Sequence, residues 1–219
     1  MRSIALKVTA LGAVAALGLT ACGSSSRTDT TTNPSGSAAA KGFAKDALIG
    51  VALPDKTSEN WVLAGQLFSD GLAAAGFKSD VQYAAASNTV ADQQAQIQAM
   101  VTKGAKVIFV GAKDGSQLGT QAKAAHDAGA IVVAYDRLLL NTNDVDYYLA
   151  YDNRKVGQLQ GQALLDGMKK KKANGPYTIE LFAGSPDDAN SKVFFDGAMD
   201  VLKPEIDKGN VKIGSGQTD

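Results

Sequence analysis

The sequence predicts an α/β fold built on a mainly parallel sheet, on the strength of three observations. After about residue 46, short apolar runs rich in Val and Ile alternate with longer amphipathic stretches, the pattern of successive βαβ units. Three of the amphipathic stretches stop at a single glycine, Gly76, Gly104 and Gly129, just before the next apolar run. Glycine enters the left-handed conformation of a helix C-terminus without a Cβ clash, so one punctuation mark is used three times. Finally, 45% of the chain is hydrophobic and its 22 basic and 22 acidic residues cancel, as in a globular protein with no electrostatic pull toward nucleic acid.

Taken in order, the predicted strands are "ALIGVAL" (47–53), "DVQYAA" (80–85), "AKVIFVG" (105–111), "AIVVAY" (130–135) and "YYLAY" (147–151), with helices over 58–75, 89–103 and 116–128. In the second helix Thr89 and Asp92 form a weak capping box, and Ile97, Met100 and Val101 make an apolar face opposite Gln93, Gln94 and Gln96. A second series follows: a helix over 153–170, a strand "YTIELFAG" (177–184), a helix over 190–202 and a short strand "VKIG" (211–214). Five strands with their helices make a complete lobe, 47–151; two strands and two helices make a partial one, 152–219.

The first residues are of a different kind. Arg2 and Lys7 precede an apolar segment, 8–19, that is too short for a permanent membrane span and fits an export signal over 1–21. Its end, "LTAC", is similar to the lipobox of bacterial lipoproteins, in which the cysteine is lipidated; Cys22 is the chain's one cysteine, so no disulfide within one chain is possible. From 22 to 46 the Ser-, Thr-, Gly- and Ala-rich sequence lacks the apolar side chains that would offset ordering entropy, and is expected to be a flexible tether. The expected arrangement is a globular module anchored by lipid outside the bacterial cytoplasmic membrane.

In open parallel sheets ligands bind beyond the carboxyl ends of the strands, where strand order reverses. That rule selects the polar loops 54–61, 112–116, 136–139 and 184–192. Together they hold carboxylates, an arginine, amides and the chain's single tryptophan. A sugar needs that set, because each hydroxyl both donates and accepts while the ring's C–H face packs on an aromatic plane. Asp136 and Arg137, opposite charges ending an apolar run, suit an acceptor and a forked donor for hydroxyls; as a surface ion pair they would only stabilise a loop. Trp61 reads as a stacking plane or as packing on the helix it opens, and Asp188 and Asn190 as ligand contacts or an N-cap. Asp114 is a secondary ligand candidate with capping as its default, and Asp152 and Asn153 open the crossover helix.

Three segments carry a family resemblance: "QIQAMVTKGAKVIFVGAKDG" (96–115), "YDRLLLNTNDVDYYLAYDNRKVGQLQGQ" (135–162) and "ELFAGSPDDANSKVFFDGAM" (180–199). They resemble the xylose-binding and multiple-sugar-binding receptors among the type I periplasmic binding proteins of sugar ABC transporters. The resemblance implies two Rossmann-like lobes joined by a hinge and closing on one monosaccharide of the xylose, glucose or galactose kind. It places ligand contacts on Asn60, Trp61, Asp136, Arg137, Asp188 and Asn190, an ABC permease and a chemoreceptor as partners, and a monomer as the working form. Asn60 departs from the family, whose sugar-binding members carry Arg before that Trp. Family members also continue through further strands that supply another aromatic and more polar ligands, so this chain by itself is expected to bind weakly or not at all.

An exported carbohydrate-active hydrolase using two of Asp136, Asp187 and Asp188 is the alternative of another class. The sequence has no G-x-S-x-G elbow, no metal-spaced His or Cys set and no phosphate loop after a strand, so no cofactor or metal is expected. A cytoplasmic sugar sensor would place a DNA-binding segment where the lipobox and tether stand.

Overall fold

The computed structural model describes residues 42–86 and 90–218. Its first part is a five-stranded sheet of β1 (Leu48–Leu53), β2 (Lys78–Tyr83), β3 (Val107–Val110), β4 (Ile131–Tyr135) and β5 (Tyr147–Leu149), in the order β2-β1-β3-β4-β5. Every neighbouring pair is parallel. The helices α1 (Glu59–Ala74), α2 (Val90–Thr102) and α3 (Gly119–Asp127) cross between the strands.

Both faces of this sheet are covered, which explains its continuous apolar strands. Ile108, Val110, Val132 and Ala134 pack with Ile97, Met100, Leu118 and Ala125 on one face; Ile49, Val107 and Val133 meet Leu72, Phe77 and Phe109 on the other. Gly76, Gly104 and Gly129 take φ of +84°, +78° and +78° at the helix ends, as the punctuation predicted. The Thr89 cap lies outside the described residues, as do the signal segment, Cys22 and residues 22–41 of the tether.

Beyond β5 come α4 (Asn153–Lys171), β6 (Tyr177–Ile179), α5 (Ala189–Asp207) and β7 (Val211–Ile213), with β6 and β7 paired in parallel. Their core is Leu165, Ile179, Leu202 and Val211. The two helices approach closely through small residues: a Cβ at Gly157 would run into the carbonyl of Phe194, one at Gly197 into the carbonyl of Arg154, and one at Gly161 would stand 2.8 Å from the Ala198 oxygen. Among the described residues no helix is long and apolar enough to cross a membrane.

Several boundaries depart from the sequence reading. The 177–184 strand ends at Ile179, because only its first three residues find a ladder partner in β7, and Phe182 beyond it is 91% exposed. The 116–128 helix is a 3₁₀ turn, Gly115–Gln117, then α3, with Leu118 buried between them. The 190–202 helix continues through Pro204 to Asp207. Gln93 is not on a solvated face: it is fully buried under the sheet, since its amide is fully engaged with backbone groups there.

Candidate functional site

Strand order reverses at β1, whose neighbours β2 and β3 lie on opposite sides. The loops leaving β1 and β3 therefore diverge and open a crevice at the carboxyl edge of the sheet. A cleft of about 290 Å³ lies there, lined by Ser58, Asn60, Trp61, Ala64, Tyr135, Asp136, Arg137 and Asp188. A wider groove of about 1020 Å³, walled by Gln94, Thr120, Lys123, Asn141 and Asp144 among others, has no aromatic side chain and lies away from the β1 and β4 ends. The smaller cleft is the one with a ring, a guanidinium and carboxylates converging.

Its floor is set by a strained turn. As β4 ends, Asp136 adopts φ +62°, and the Arg137 amide donates to the Tyr135 carbonyl at 2.7 Å, closing a tight three-residue turn. The turn is pinned from two sides: the Asp136 amide donates to Leu149, and the Tyr148 hydroxyl donates to the Asp136 carbonyl at 2.9 Å. The consequence is that Asp136 and Arg137 point in different directions.

Arg137 reaches over the β3 loop. One terminal nitrogen, Nη1, donates to the Ala112 carbonyl at 3.2 Å and more distantly to that of Lys113, and Nη2 forms an ion pair with Asp188 at 3.0 Å. The guanidinium carbon stands 5.6 Å from the centroid of the Trp61 ring, a cation–π arrangement. Its Nε is buried and has no hydrogen-bond partner among the described residues. Trp61 in turn meets Tyr135 edge-on, with centroids 6.2 Å apart.

The partner of Arg137 is thus Asp188, not the adjacent Asp136, which corrects the reading of the two neighbours as a local ion pair. Asp136 faces Asn190, whose amide donates to both its carbonyl and its carboxylate at 3.1 Å. Asn190 is itself buried, and its oxygen accepts from Asn153 at 2.7 Å. Burial, with Asp188 nearby, raises the Asp136 pKa against the opposing effects of Arg137 and Asn190. Asp188 has two tasks: it holds Arg137 and caps α5 by accepting from the Asn190 amide at 2.9 Å, so the N-cap reading of it holds.

Other predicted residues sit as follows. Asn60 lines the cleft near the start of α1 with an exposed side chain. Asp114 accepts from the Ser116 amide at 2.9 Å as the cap of the 3₁₀ turn and is not among the lining residues. Asp152 caps α4 through the Lys155 amide. Beside the cleft, Lys113 forms a largely buried ion pair with Asp55 at 2.9 Å. Burial opposes ionisation of Asp55, but hydrogen bonds from Thr57 and Lys113 outweigh it and bring its pKa to about 2. Tyr135, Tyr148 and the Asp55–Lys113 pair were not singled out from sequence, and Asn153 was read only as the opening of the crossover helix, not as the partner of Asn190; for Tyr135 the signal was present, since it is the last residue of a buried strand beside two site candidates.

The fold is an α/β one with a parallel sheet and a candidate ligand cleft at its carboxyl edge. Residues 49–219 match the family described as periplasmic binding protein domain, and the chain belongs to that family. It is 47% identical over 179 residues to the multiple sugar-binding periplasmic receptor ChvE of Rhizobium radiobacter, covering 81% of this chain and 50% of the relative. It is 37% identical over 170 residues to the D-xylose-binding periplasmic protein of Escherichia coli, covering 78% and 49%. Among solved structures, an ABC transporter solute binding protein from Clostridium phytofermentans with bound β-D-glucose superposes with a TM-score of 0.73 at 40% identity, over 78% of this chain and 52% of the other. The chain spans about half the length of the relatives it matches. These relatives are receptors rather than enzymes, and the hydrolase alternative finds no support in them.

Proposed function

We propose that this chain belongs to a sugar-binding receptor of an ABC transporter and that a monosaccharide of the xylose or glucose kind is bound in the cleft beside Trp61. The observation that carries the reading is the meeting of Trp61, Asp136 and Arg137 in one cleft at the carboxyl edge of the sheet. The guanidinium lies over the indole ring, with its terminal nitrogens held by the Ala112 carbonyl and Asp188. An aromatic plane beside a charged donor and a carboxylate acceptor suits a sugar's C–H surface and hydroxyls. Asp136 supplies the acceptor, with Asn60 and Asn190 as further polar contacts and Asp114 in an outlying role. Names and bound sugars of the relatives support the ligand class.

In this reading residues 47–151 form one lobe and 152–219 part of a second, with the receptor working as a monomer that delivers sugar to a permease and, in a sensing role, to a chemoreceptor. The decisive experiment is titration of the chain extended through a complete second lobe with D-glucose, D-xylose and D-galactose, followed by Trp61 emission and by NMR shifts of the 111–116 amides. Saturable changes in both support the proposal; no change at sugar concentrations on the order of 100 mM, a range in which even weak millimolar binding saturates, overturns it.

Lipid attachment at Cys22 is part of the same proposal, supported by "LTAC" ahead of the tether. Cys22→Ser should move the protein from the membrane fraction to the soluble fraction. Retention on membranes after detergent-free washing would count against it.

A further inference from the structure

We propose that Gln93 is a positioning residue that aims the backbone holding Arg137, an inference that rests on the receptor reading only for its effect on sugar affinity. Gln93 lies on α2 with no exposed surface, a place where an amide is retained only if each of its polar atoms is engaged. Both kinds are. Its Nε2 donates to the Gly111 carbonyl at 2.8 Å and the Ala52 carbonyl at 3.3 Å, and its Oε1 accepts from the Lys113 amide at 2.8 Å.

The last bond is the one that reaches the cleft. The N–H of Lys113 and the C=O of Ala112 belong to one peptide plane, and in a trans peptide they point in opposite directions. By gripping the N–H from the α2 side, Gln93 turns the carbonyl away from α2, toward the cleft, where it accepts from Arg137 Nη1 at 3.2 Å. The two donor bonds fix the ends of β1 and β3 relative to that plane, so the peptide has little freedom to rotate. An amide alone among side chains offers two donors and one acceptor in a plane of this reach. Leu or Met would leave the Gly111 carbonyl and the Lys113 amide without these partners, while the Ala52 carbonyl would keep the bond it accepts from the Gly111 amide, and Glu would set a carboxylate against two carbonyl oxygens.

A purely structural Gln93 would satisfy the same backbone groups without any influence on Arg137, and the test separates the two roles. Trp61 is the chain's one tryptophan and has the Arg137 guanidinium over its ring, so its emission reports where the guanidinium lies without any sugar present. The variants are Gln93→Met, Arg137→Ala and both together. Gln93→Met should change Trp61 emission and iodide quenching in the Arg137 protein and leave them unchanged in the Arg137→Ala background. Its loss of sugar affinity, about tenfold or more for unpaired buried groups, should vanish in that background as well. Unaltered emission in Gln93→Met, or the same change in both backgrounds, overturns the proposal. Hydrogen exchange of the Lys113 amide in the unaltered chain needs no Gln93 variant: protection comparable to β3 amides is expected, and free exchange overturns the clamp even if Gln93→Met fails to fold. Should no aldose bind, the emission measurements still decide the role of Gln93, and only the receptor reading fails.

Discussion

The Asp136 carboxylate is half withdrawn from water beside Asp188, and its pKa is raised. A raised folded-state pKa means that the folded chain holds this proton more tightly than the unfolded one, so the charge destabilises the fold above its folded pKa and not below the ordinary carboxylate range. Asp136→Asn removes that charge and keeps the two features the site uses: an amide oxygen still accepts from Asn190, and Asn tolerates φ +62°. The variant should therefore melt higher than the parent at neutral pH, with the gap closing as pH falls through the carboxylate range, while sugar affinity drops about tenfold. Arg137→Ala should lose more, about 2 to 5 kcal/mol or roughly 30-fold to several thousand-fold, since Asp188 is left unpaired and nothing replaces the donor. Calorimetric titration beside thermal melts at several pH values checks both.

Asp55 has the opposite sign. Held at a pKa of about 2 with a side chain 16% exposed, it contributes stability above the unfolded carboxylate pKa that is lost as pH falls through about 2. Asp55→Asn should lower stability at neutral pH by about 2 kcal/mol and make no difference in strong acid. Acid titration of the melting temperature in parent and variant reads this directly.

At the scale of elements, α4 and α5 show how a glycine's neighbours decide its role. Alanine is favoured over glycine inside a helix by about 1 kcal/mol, but a methyl group driven into a facing backbone costs about 1 to 3 kcal/mol or more. Gly197→Ala and Gly157→Ala should therefore destabilise the protein, whereas Gly167→Ala, in the same helix as Gly157 with open space around its added Cβ, should stabilise it by about 0.5 to 1 kcal/mol. Denaturant unfolding of the three variants tests the contrast. The sequence made the elements legible because period, glycine stops and β-branched runs are local signals. It did not distinguish Gly157 from Gly167, since the difference is the distance to a helix 40 residues away along the chain. Gln93 was misread for a different reason: four residues before Ile97 and seven before Met100 it lies on α2's buried stripe, but its amide suggested a solvated face, and only the sheet end above it supplies its partners.

Over the whole molecule, the candidate site is assembled from three widely separated stretches, the β1 loop, the β4 turn and the start of α5. The strand-end rule pointed to these stretches, and Asp136, Arg137, Trp61 and Asp188 line one cleft. What the sequence could not convey was the pairing among them. Adjacent opposite charges suggest each other as partners, yet the left-handed turn at Asp136 sends Arg137 to Asp188 and Asp136 to Asn190, 51 and 54 residues downstream.

The sheet also has a second edge. Its glycine turns, at Gly76, Gly104 and Gly129, stand at the amino ends of β2, β3 and β4, with nothing within 4 Å of where a side chain would begin. None of the cleft residues comes from them. A flexible insert of about ten residues after Gly129 should lower the melting temperature by only a few degrees, since loop closure grows slowly with length, and should leave the Trp61 response to sugar intact. The same insert after Asp114, in the loop that carries the Ala112 and Lys113 carbonyls, should abolish that response. In the proposed receptor one edge of the sheet therefore serves recognition, and the glycine turns of the other lie apart from it. A dye or an affinity handle grafted at Gly129 would turn this chain into a surface-immobilised sugar probe whose optical signal originates on the far side from its attachment.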